Sequence, residues 1–165
     1  MPRIDVLKKW LSHRKRVFPV STIVMHATAG GSLEGAISTL RSRRFSYHYL
    51  IEKSGVITKC VPSEMVAFHA GKSVGPDGSW VNRYSIGISF VNKDDGKDPY
   101  TEVQKASALH LVQLLVKFFP GVRYLTSHRQ ISWPRKVDPV GLSSFLKSLA
   151  SACGLSYWQR EGVPE

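Results

Sequence analysis

Five short apolar stretches, rich in β-branched and aromatic residues, recur along the chain and predict the strands of a sheet. They are residues 20–25, 45–52, 56–61, 85–91 and 122–126. Runs of this length and composition, bounded by polar turns, are typical of buried strands. The polar segment Lys53-Ser-Gly55 separates the second run from the third, so these two runs are expected to form a hairpin.

Three other segments repeat apolar residues every three or four positions and predict helices. The first begins after Ser32, a residue suited to capping, and ends in a basic cluster at residues 41–44. The second begins at Thr101, where Thr-Glu-Val-Gln has the form of a capping box, and it stops before Pro120. The third centres on Leu146. This order predicts an α/β fold, a single domain with a central mixed β-sheet flanked by helices.

Residues 65–82 lie between two predicted strands and carry Gly, Ser and Pro without a periodic pattern, which predicts a long surface loop. Loops of this length in compact domains are usually functional or disordered, and this one contains His69 and Trp80. We expect residues 17–155 to form the folded domain and residues 156–165 to be a C-terminal tail.

The first sixteen residues are strongly basic. They contain six basic side chains and one acidic side chain, so +5 of the net charge of +11 lies there. The spacing of Val6, Leu7, Trp10 and Leu11 predicts that residues 1–16 form an extra basic amphipathic helix. Such a helix either binds an anionic surface, namely a membrane, a cell-wall polymer or nucleic acid, or is a solvated cap on the domain.

The same opening residues contain no long apolar run, so neither a signal peptide nor a membrane span is expected. We therefore expect the protein to be made in the cytoplasm. The two cysteines, Cys60 and Cys153, lack the paired spacing of a metal or redox motif and are expected to be free thiols in a reducing compartment.

Two histidines directly follow predicted strands. His26 comes after residues 20–25, and His128 comes after residues 122–126. Strand ends at one edge of a sheet are where sites are built, so both imidazoles can point into one cleft. Asp138 is the candidate carboxylate, although nothing in the spacing of the three residues places it beside the imidazoles. Two imidazoles and a carboxylate are a ligand set that a catalytic Zn²⁺ accepts. The alternative for each histidine is a structural, hydrogen-bonded side chain, and His48, on the face opposite Tyr47, is a candidate core residue.

Six motifs occur in a fixed order along residues 20–150. They are VMHATAG at 24–30, SYHYLI at 46–51, FHAG at 68–71, SIGIS at 85–89 with Asn82 before it, SHR at 127–129 and RKVDP at 135–139. In this order the chain resembles the zinc-dependent N-acetylmuramoyl-L-alanine amidases of type 2. Those enzymes share their fold with peptidoglycan recognition proteins and include many phage endolysins.

The resemblance implies a role for each residue that matches a motif. It makes His26, His128 and Asp138 the zinc ligands, places Tyr47 and Lys136 at the reaction centre, and assigns His69 and Asn82 to the wall of the substrate groove. The implied reaction is hydrolysis of the amide bond between N-acetylmuramic acid and L-alanine, with Lys136 stabilising the oxyanion and Tyr47 handling a proton. Ser89 departs from members that carry a glutamate there, which leaves the general base open.

Four functions remain open at this point. The leading one is a monomeric phage endolysin that leaves the cytoplasm to act on the cell wall, with the basic opening on an anionic envelope. The others are a cytoplasmic amidase that recycles muropeptides, a non-catalytic peptidoglycan-binding module, and a nucleic-acid-binding protein. Nucleic acid is not expected as a partner because no recognisable module accompanies the high isoelectric point of 9.9. The presence of all three candidate ligands favours catalysis over binding alone.

Overall fold

The computed structural model describes all 165 residues. The strands are β1 (Ile4–Val6), β2 (His13–Lys15), β3 (Thr22–Ala27), β4 (Tyr49–Ile51), β5 (Ile57–Lys59), β6 (Met65–Ala67), β7 (Val74–Gly75), β8 (Gly78–Ser79), β9 (Ser85–Phe90), β10 (Tyr124–Ser127) and β11 (Ser156–Tyr157). The α-helices are α1 (Leu33–Arg43), α2 (Glu102–Phe118), α3 (His128–Ser132) and α4 (Ser143–Ala152). None of these helices combines the length and the apolar character needed to cross a membrane.

Seven strands form the central sheet, in the order β1-β5-β4-β9-β3-β10-β11. Neighbouring strands are parallel except β4 and β5, which form the antiparallel hairpin that the sequence predicts. The sheet is therefore mixed and carries helices on its faces, so the predicted α/β fold class is confirmed.

The two faces of the sheet differ in chemistry because side chains alternate along each strand. In β9, Ile86, Ile88 and Phe90 belong to the main hydrophobic core together with residues of α2 and α4. Ser85, Gly87 and Ser89 therefore point to the opposite face, where α1, α3 and residues 65–84 lie. In β3 the same alternation places Met25 in the main core and sends His26 to the polar face.

Helix α2 begins as the sequence predicts. The Thr101 side chain accepts a hydrogen bond from the Gln104 backbone N–H, and the Gln104 side chain accepts one from the Thr101 backbone N–H. Gln104 Nε2 also donates to Ile51 O at 2.9 Å and to Val91 O at 3.1 Å. One residue thus caps α2 and ties it to the ends of β4 and β9.

The predicted N-terminal helix is wrong. β1 instead pairs with β5 in parallel, and β2 pairs with β6 in antiparallel fashion. Helical spacing would bury Val6, Leu7, Trp10 and Leu11 on one face, but Val6 and Trp10 are exposed. Only Leu7 and Leu11 pack in an apolar cluster, with Leu50 and Cys60. Backbone pairing at open sheet edges therefore outweighs the weak helical periodicity of this short segment.

Arg16 anchors the basic segment to the domain. Its guanidinium donates to Met65 O at 2.8 Å and to Ser85 O at 2.9 Å, with longer bonds to Arg83 O and Ser63 O. Burial of the guanidinium lowers the pKa of Arg16 to about 10, so the side chain stays cationic at neutral pH.

We expect Arg16→Leu to destabilise the protein by about 1–3 kcal/mol, because partly buried carbonyls lose their donors. Chemical denaturation checks this, with Arg14→Leu as the matched control because Arg14 is exposed on the same short segment. Equal midpoints for the two variants would mean that the guanidinium does not anchor the segment.

Three further expectations need correction. Residues 65–82 are not purely irregular, because they contain β6 and the small β7–β8 hairpin, and a 3-10 helix begins at Val81. The second predicted strand shrinks to β4, because Ser46 N bonds Phe68 O and His48 O accepts from both Cys60 N and Val61 N, which interrupts the regular pairing with β5. Beyond residue 155, β11 adds to the edge of the sheet beside β10.

Candidate metal centre and groove

The three candidate ligands come from adjacent elements. His26 lies in β3, and His128 begins α3 directly after β10, which is the parallel neighbour of β3. The pairing of Met25 with Ser127 therefore brings the next residue of each strand side by side, with ring centroids 4.4 Å apart. Asp138 follows α3, and its backbone oxygen accepts a hydrogen bond from Arg129 N at 2.9 Å. Since Arg129 is the residue after His128, this bond holds Asp138 close to the two imidazoles.

The three side chains form a compact donor set. His128 Nδ1 lies 3.0 Å from Asp138 Oδ1, and His26 Nδ1 lies 3.7 Å from Asp138 Oδ2. One ligand atom from each residue lies within 4.8 Å of the others, and all three residues are buried. His26 Nδ1 has no hydrogen-bond partner in the protein, although it is buried. Two imidazole nitrogens, one of them unpaired, and one carboxylate are three donors that fit zinc and leave a fourth position for water or substrate.

Hydrogen bonds behind the donor atoms hold the ligands in place. His26 Nε2 bonds His69 Nδ1 at 2.9 Å, and His128 Nε2 donates to Ala70 O at 3.2 Å. Asp138 Oδ2 accepts from Ala27 N at 3.1 Å. Both histidines therefore keep Nδ1 toward the carboxylate, which is the arrangement that second-shell bonds impose on metal ligands.

The protonation states suit metal binding. Burial, followed by the nearby His128, lowers the pKa of His26 to about 4. Burial opposes ionisation of Asp138, but hydrogen bonds and charge from His128 and His26 outweigh it and hold the pKa of this carboxyl well below its usual range. At neutral pH the site therefore presents a neutral His26 imidazole and an anionic carboxylate, the forms that ligate metals.

Tyr47 and Lys136 both line the groove beside this centre. The Tyr47 ring lies 4.9 Å from the His26 ring, and burial, then the negative charge of Asp138, raises the Tyr47 pKa. Tyr47 is therefore protonated at neutral pH and cannot act as a base there. Lys136 is exposed, and its backbone N–H bonds Ser132 O at 3.1 Å.

The groove has a volume of ≈ 540 Å³. Its walls include Thr28, Gly31, Thr39, Arg43, Phe45, Tyr47, Asp94, Lys136 and the ligands His128 and Asp138. A groove that holds one candidate metal centre, a half-buried phenol and a free ammonium can polarise a carbonyl and protonate a leaving group.

His69 and Asn82 lie beside a smaller cavity of ≈ 170 Å³ that Tyr47 and Lys136 also line. His69 is buried, and both ring nitrogens bond within the protein, to His26 Nε2 and to Ser85 Oγ. Asn82 Oδ1 accepts from His69 N at 3.1 Å and from Ala70 N at 2.8 Å. The assignment of His69 and Asn82 to the wall of the substrate groove stays a prediction. Both nitrogens of the His69 ring are already hydrogen-bonded within the protein.

Ser89 lies next to His26 in the paired strands β9 and β3. Neighbours in this register point to the same face, so the Ser89 hydroxyl points toward the site. It offsets part of the rise in the Tyr47 pKa, and the buried Ser89 Oγ has no hydrogen-bond partner in the protein. No acidic side chain occupies this position of the sheet.

Asp94 is a groove residue that the sequence reasoning missed. Its carboxylate accepts a hydrogen bond from Val140 N at 2.7 Å, and burial raises the Asp94 pKa to about 6. No sequence pattern marks it, because Asp94 lies in the polar turn beyond the end of β9, whereas His26 lies within β3 and His128 directly follows β10. The histidine His48 is fully buried with bonds to Met65 O and Gly87 N, as expected of a core residue.

Comparison with known proteins identifies the family. Residues 16–141 match the family described as N-acetylmuramoyl-L-alanine amidase (Amidase_2), and the chain belongs to this family.

Among individual proteins, the chain is 34% identical over 98 residues to the 1,6-anhydro-N-acetylmuramyl-L-alanine amidase AmpD of Haemophilus influenzae. The match covers 58% of this chain and 52% of that protein, so the chain spans about half the length of this relative.

Two solved structures share the fold. An AmpD crystal structure superposes with a TM-score of 0.74 at 21% identity, over 90% of this chain and 95% of that one. The amidase AmiD from E. coli, in complex with the substrate anhydro-N-acetylmuramic acid-L-Ala-D-γ-Glu-L-Lys, superposes with a TM-score of 0.72 at 25% identity. That match covers 86% of this chain and 60% of AmiD.

Proposed function

We propose that this protein is a zinc-dependent amidase that hydrolyses the bond between N-acetylmuramic acid and L-alanine in peptidoglycan or its fragments. The observation that carries the proposal is the buried set of His26, His128 and Asp138 beside a groove, with His26 Nδ1 unpaired. Family membership indicates the type of reaction, and the chemistry of the three donor side chains indicates zinc as the metal.

In this proposal the ion supplies Lewis-acid chemistry and an activated water. Side chains of the protein supply the stabilisation of the oxyanion and the proton for the leaving group. The Lys136 ammonium lines the same groove and stabilises the oxyanion that develops as the amide carbonyl is attacked. Tyr47, kept protonated by burial and by Asp138, donates to the leaving L-alanine nitrogen, and the proton that this nitrogen takes is replaced by the one that the attacking water loses, so that no tyrosinate accumulates. Ser89 is too weak an acid and too weak a base to replace the glutamate of other members, so the general base is not assigned to it.

For the biological role, the comparisons support muropeptide recycling better than the endolysin that the sequence alone favours. AmpD carries 1,6-anhydro-N-acetylmuramyl-L-alanine amidase in its name, and AmiD was solved with an anhydromuropeptide. We infer that small anhydromuropeptides are the preferred substrates of this chain. The endolysin role remains the second candidate, supported by the exposed basic segment.

The two roles separate by substrate. Initial rates on a purified anhydromuropeptide and on intact sacculi are measured at equal concentrations of cleavable bonds. A recycling enzyme cleaves the soluble fragment faster, whereas faster release of peptide from sacculi would overturn the recycling role in favour of the endolysin. If neither substrate were cleaved, the proposed amidase activity itself would be overturned.

The basic segment is proposed to bind an anionic cell envelope. Lys8, Lys9, Arg14 and Lys15 are exposed, and Arg41 Nη2 donates to Lys9 O at 2.7 Å, which brings a further cation to the same surface. Deleting residues 1–16 is a poor test, because it removes the buried Leu11 and the anchor Arg16. Charge reversal is the better test.

A K8E/K9E variant is expected to keep its rate on soluble anhydromuropeptide and to bind anionic sacculi more weakly at low salt. The reason is the loss of long-range attraction, which salt screens. A sedimentation assay at two ionic strengths measures the binding, and K97E/K117E is the control with the same change of charge at other exposed lysines. Equal loss in both double variants would mean that net charge, rather than this surface, is responsible.

A further inference from the structure

One buried histidine lies directly behind the candidate metal centre and belongs to neither a ligand set nor the main groove. His69 Nδ1 lies 2.9 Å from His26 Nε2, and His69 Nε2 lies 3.0 Å from Ser85 Oγ. We propose that His69 is a positioning residue that fixes the metal-binding tautomer of His26, and that residues 69–70 together orient both ligand imidazoles. This inference rests on the proposed zinc site.

The hydrogen bonds can run in only one direction once His26 binds a cation. A ligating His26 Nδ1 carries no proton, so the proton of the neutral ring sits on Nε2 and is donated to His69 Nδ1. His69 then carries its own proton on Nε2 and donates it to Ser85 Oγ. The chain His26–His69–Ser85 thus selects the tautomer that leaves His26 Nδ1 free for the metal.

The next residue performs the same task for the other imidazole. Ala70 O accepts a hydrogen bond from His128 Nε2 at 3.2 Å, and it also accepts one from Arg135. Asn82 Oδ1 holds the backbone of both residues, through His69 N and Ala70 N. One clamped dipeptide therefore supplies an acceptor behind each ligand histidine, which explains how Asn82 matters to the site through His69 and Ala70.

The sheet beneath makes room for this arrangement. A Cβ placed on Gly87 would lie 2.5 Å from His69 Cγ and 2.7 Å from His69 Nδ1, closer than real contacts allow. Gly87 also bonds His48 on both sides, since its N–H donates to His48 Nδ1 and its oxygen accepts from His48 N, each at 3.0 Å. The glycine between Ser85 and Ser89 is therefore needed for the space that His69 occupies.

Zinc affinity of the full chain, measured by competition with a chromophoric chelator, tests the proposal. His69→Leu removes the acceptor and is expected to weaken zinc binding about 10–100-fold. His69→Asn keeps an acceptor oxygen near the place of Nδ1 and is expected to recover most of the affinity. Gly87→Ala displaces the ring without changing its chemistry and should weaken binding in the same direction.

His110→Gln is the control, because His110 lies in α2 on the other face of the sheet and bonds no ligand residue. It is expected to leave zinc affinity unchanged. The proposal fails if His69→Leu binds zinc as tightly as the wild type, or if His110→Gln loses as much affinity as His69→Leu. Should His69→Leu not fold, the His69→Asn and Gly87→Ala results decide. A wild type that binds no zinc would instead overturn the zinc site itself.

Discussion

An Asp138→Ala variant is expected to lose both bound zinc and amide hydrolysis. Asp138 is the only anionic member of the donor set, and both candidate imidazoles face it, at 3.0 and 3.7 Å. Its removal leaves two neutral nitrogens, which hold zinc far more weakly than three ligands do. The loss of affinity should exceed the roughly 10–100-fold that second-shell changes cause. Metal analysis of the purified protein and chromatography of muropeptide products measure the two effects.

Asp95→Ala is the control for Asp138→Ala, because Asp95 is an exposed carboxylate that takes part only in a turn with Lys97 and Asp98. This control should retain zinc and activity. An Asp138→Ala protein that kept stoichiometric zinc would remove Asp138 from the ligand set. One that lost zinc but kept full activity would remove the metal from the reaction.

Lys136→Met is expected to lower kcat about 10²–10³-fold while zinc content stays the same, as expected for loss of one donor to a developing oxyanion. The Lys136 side chain lines both cavities beside the metal centre but belongs to no ion pair of the structure. Methionine keeps the apolar length of lysine and removes only the charge. Steady-state kinetics on a soluble anhydromuropeptide, with metal analysis of the same sample, measures the effect.

Lys117→Met is the matched control, since Lys117 is exposed near the end of α2, on the other face of the sheet. A Lys136→Met enzyme with unchanged kcat would exclude the ammonium from oxyanion stabilisation. A rise in KM with kcat unchanged would instead assign Lys136 to substrate binding.

The central part of the fold was predictable because its signals are local and strong. The apolar stretches of β3, β9 and β10 and the capping box of α2 each specify an element without help from distant residues. In residues 85–90, large apolar residues alternate with serine and glycine, and this alternation distinguishes the core face of the strand from the face that carries the site. In residues 1–16, by contrast, pairing with β5 and β6 determines the structure, and those partners lie more than forty residues away.

The site was predictable to different extents. His26 and His128 follow strands, and parallel neighbours bring strand ends together, so their meeting follows from pattern and topology. Asp138 follows an irregular segment after α3, and only the family resemblance pointed to it. The bonds of His69 to His26 and Ser85 depend on the packing of residues 65–84 over β9, which no local pattern encodes.

Asp94 shows what a motif search leaves out. It lies in a polar turn and in no recognised motif, yet the fold places it in the groove with a raised pKa of about 6. Its partial burial and its bond to Val140 N arise only when residues 138–140 return to the end of β9.

The most direct test of the zinc amidase is mass spectrometry of the products formed from a purified anhydromuropeptide, with and without a chelator. The account predicts a peptide with a free N-terminal L-alanine and a separate anhydro-N-acetylmuramic acid. It also predicts that chelation stops the reaction and that added zinc restores it. No cleavage by the zinc-loaded protein, cleavage at another bond, or full activity in the presence of chelator would contradict the account.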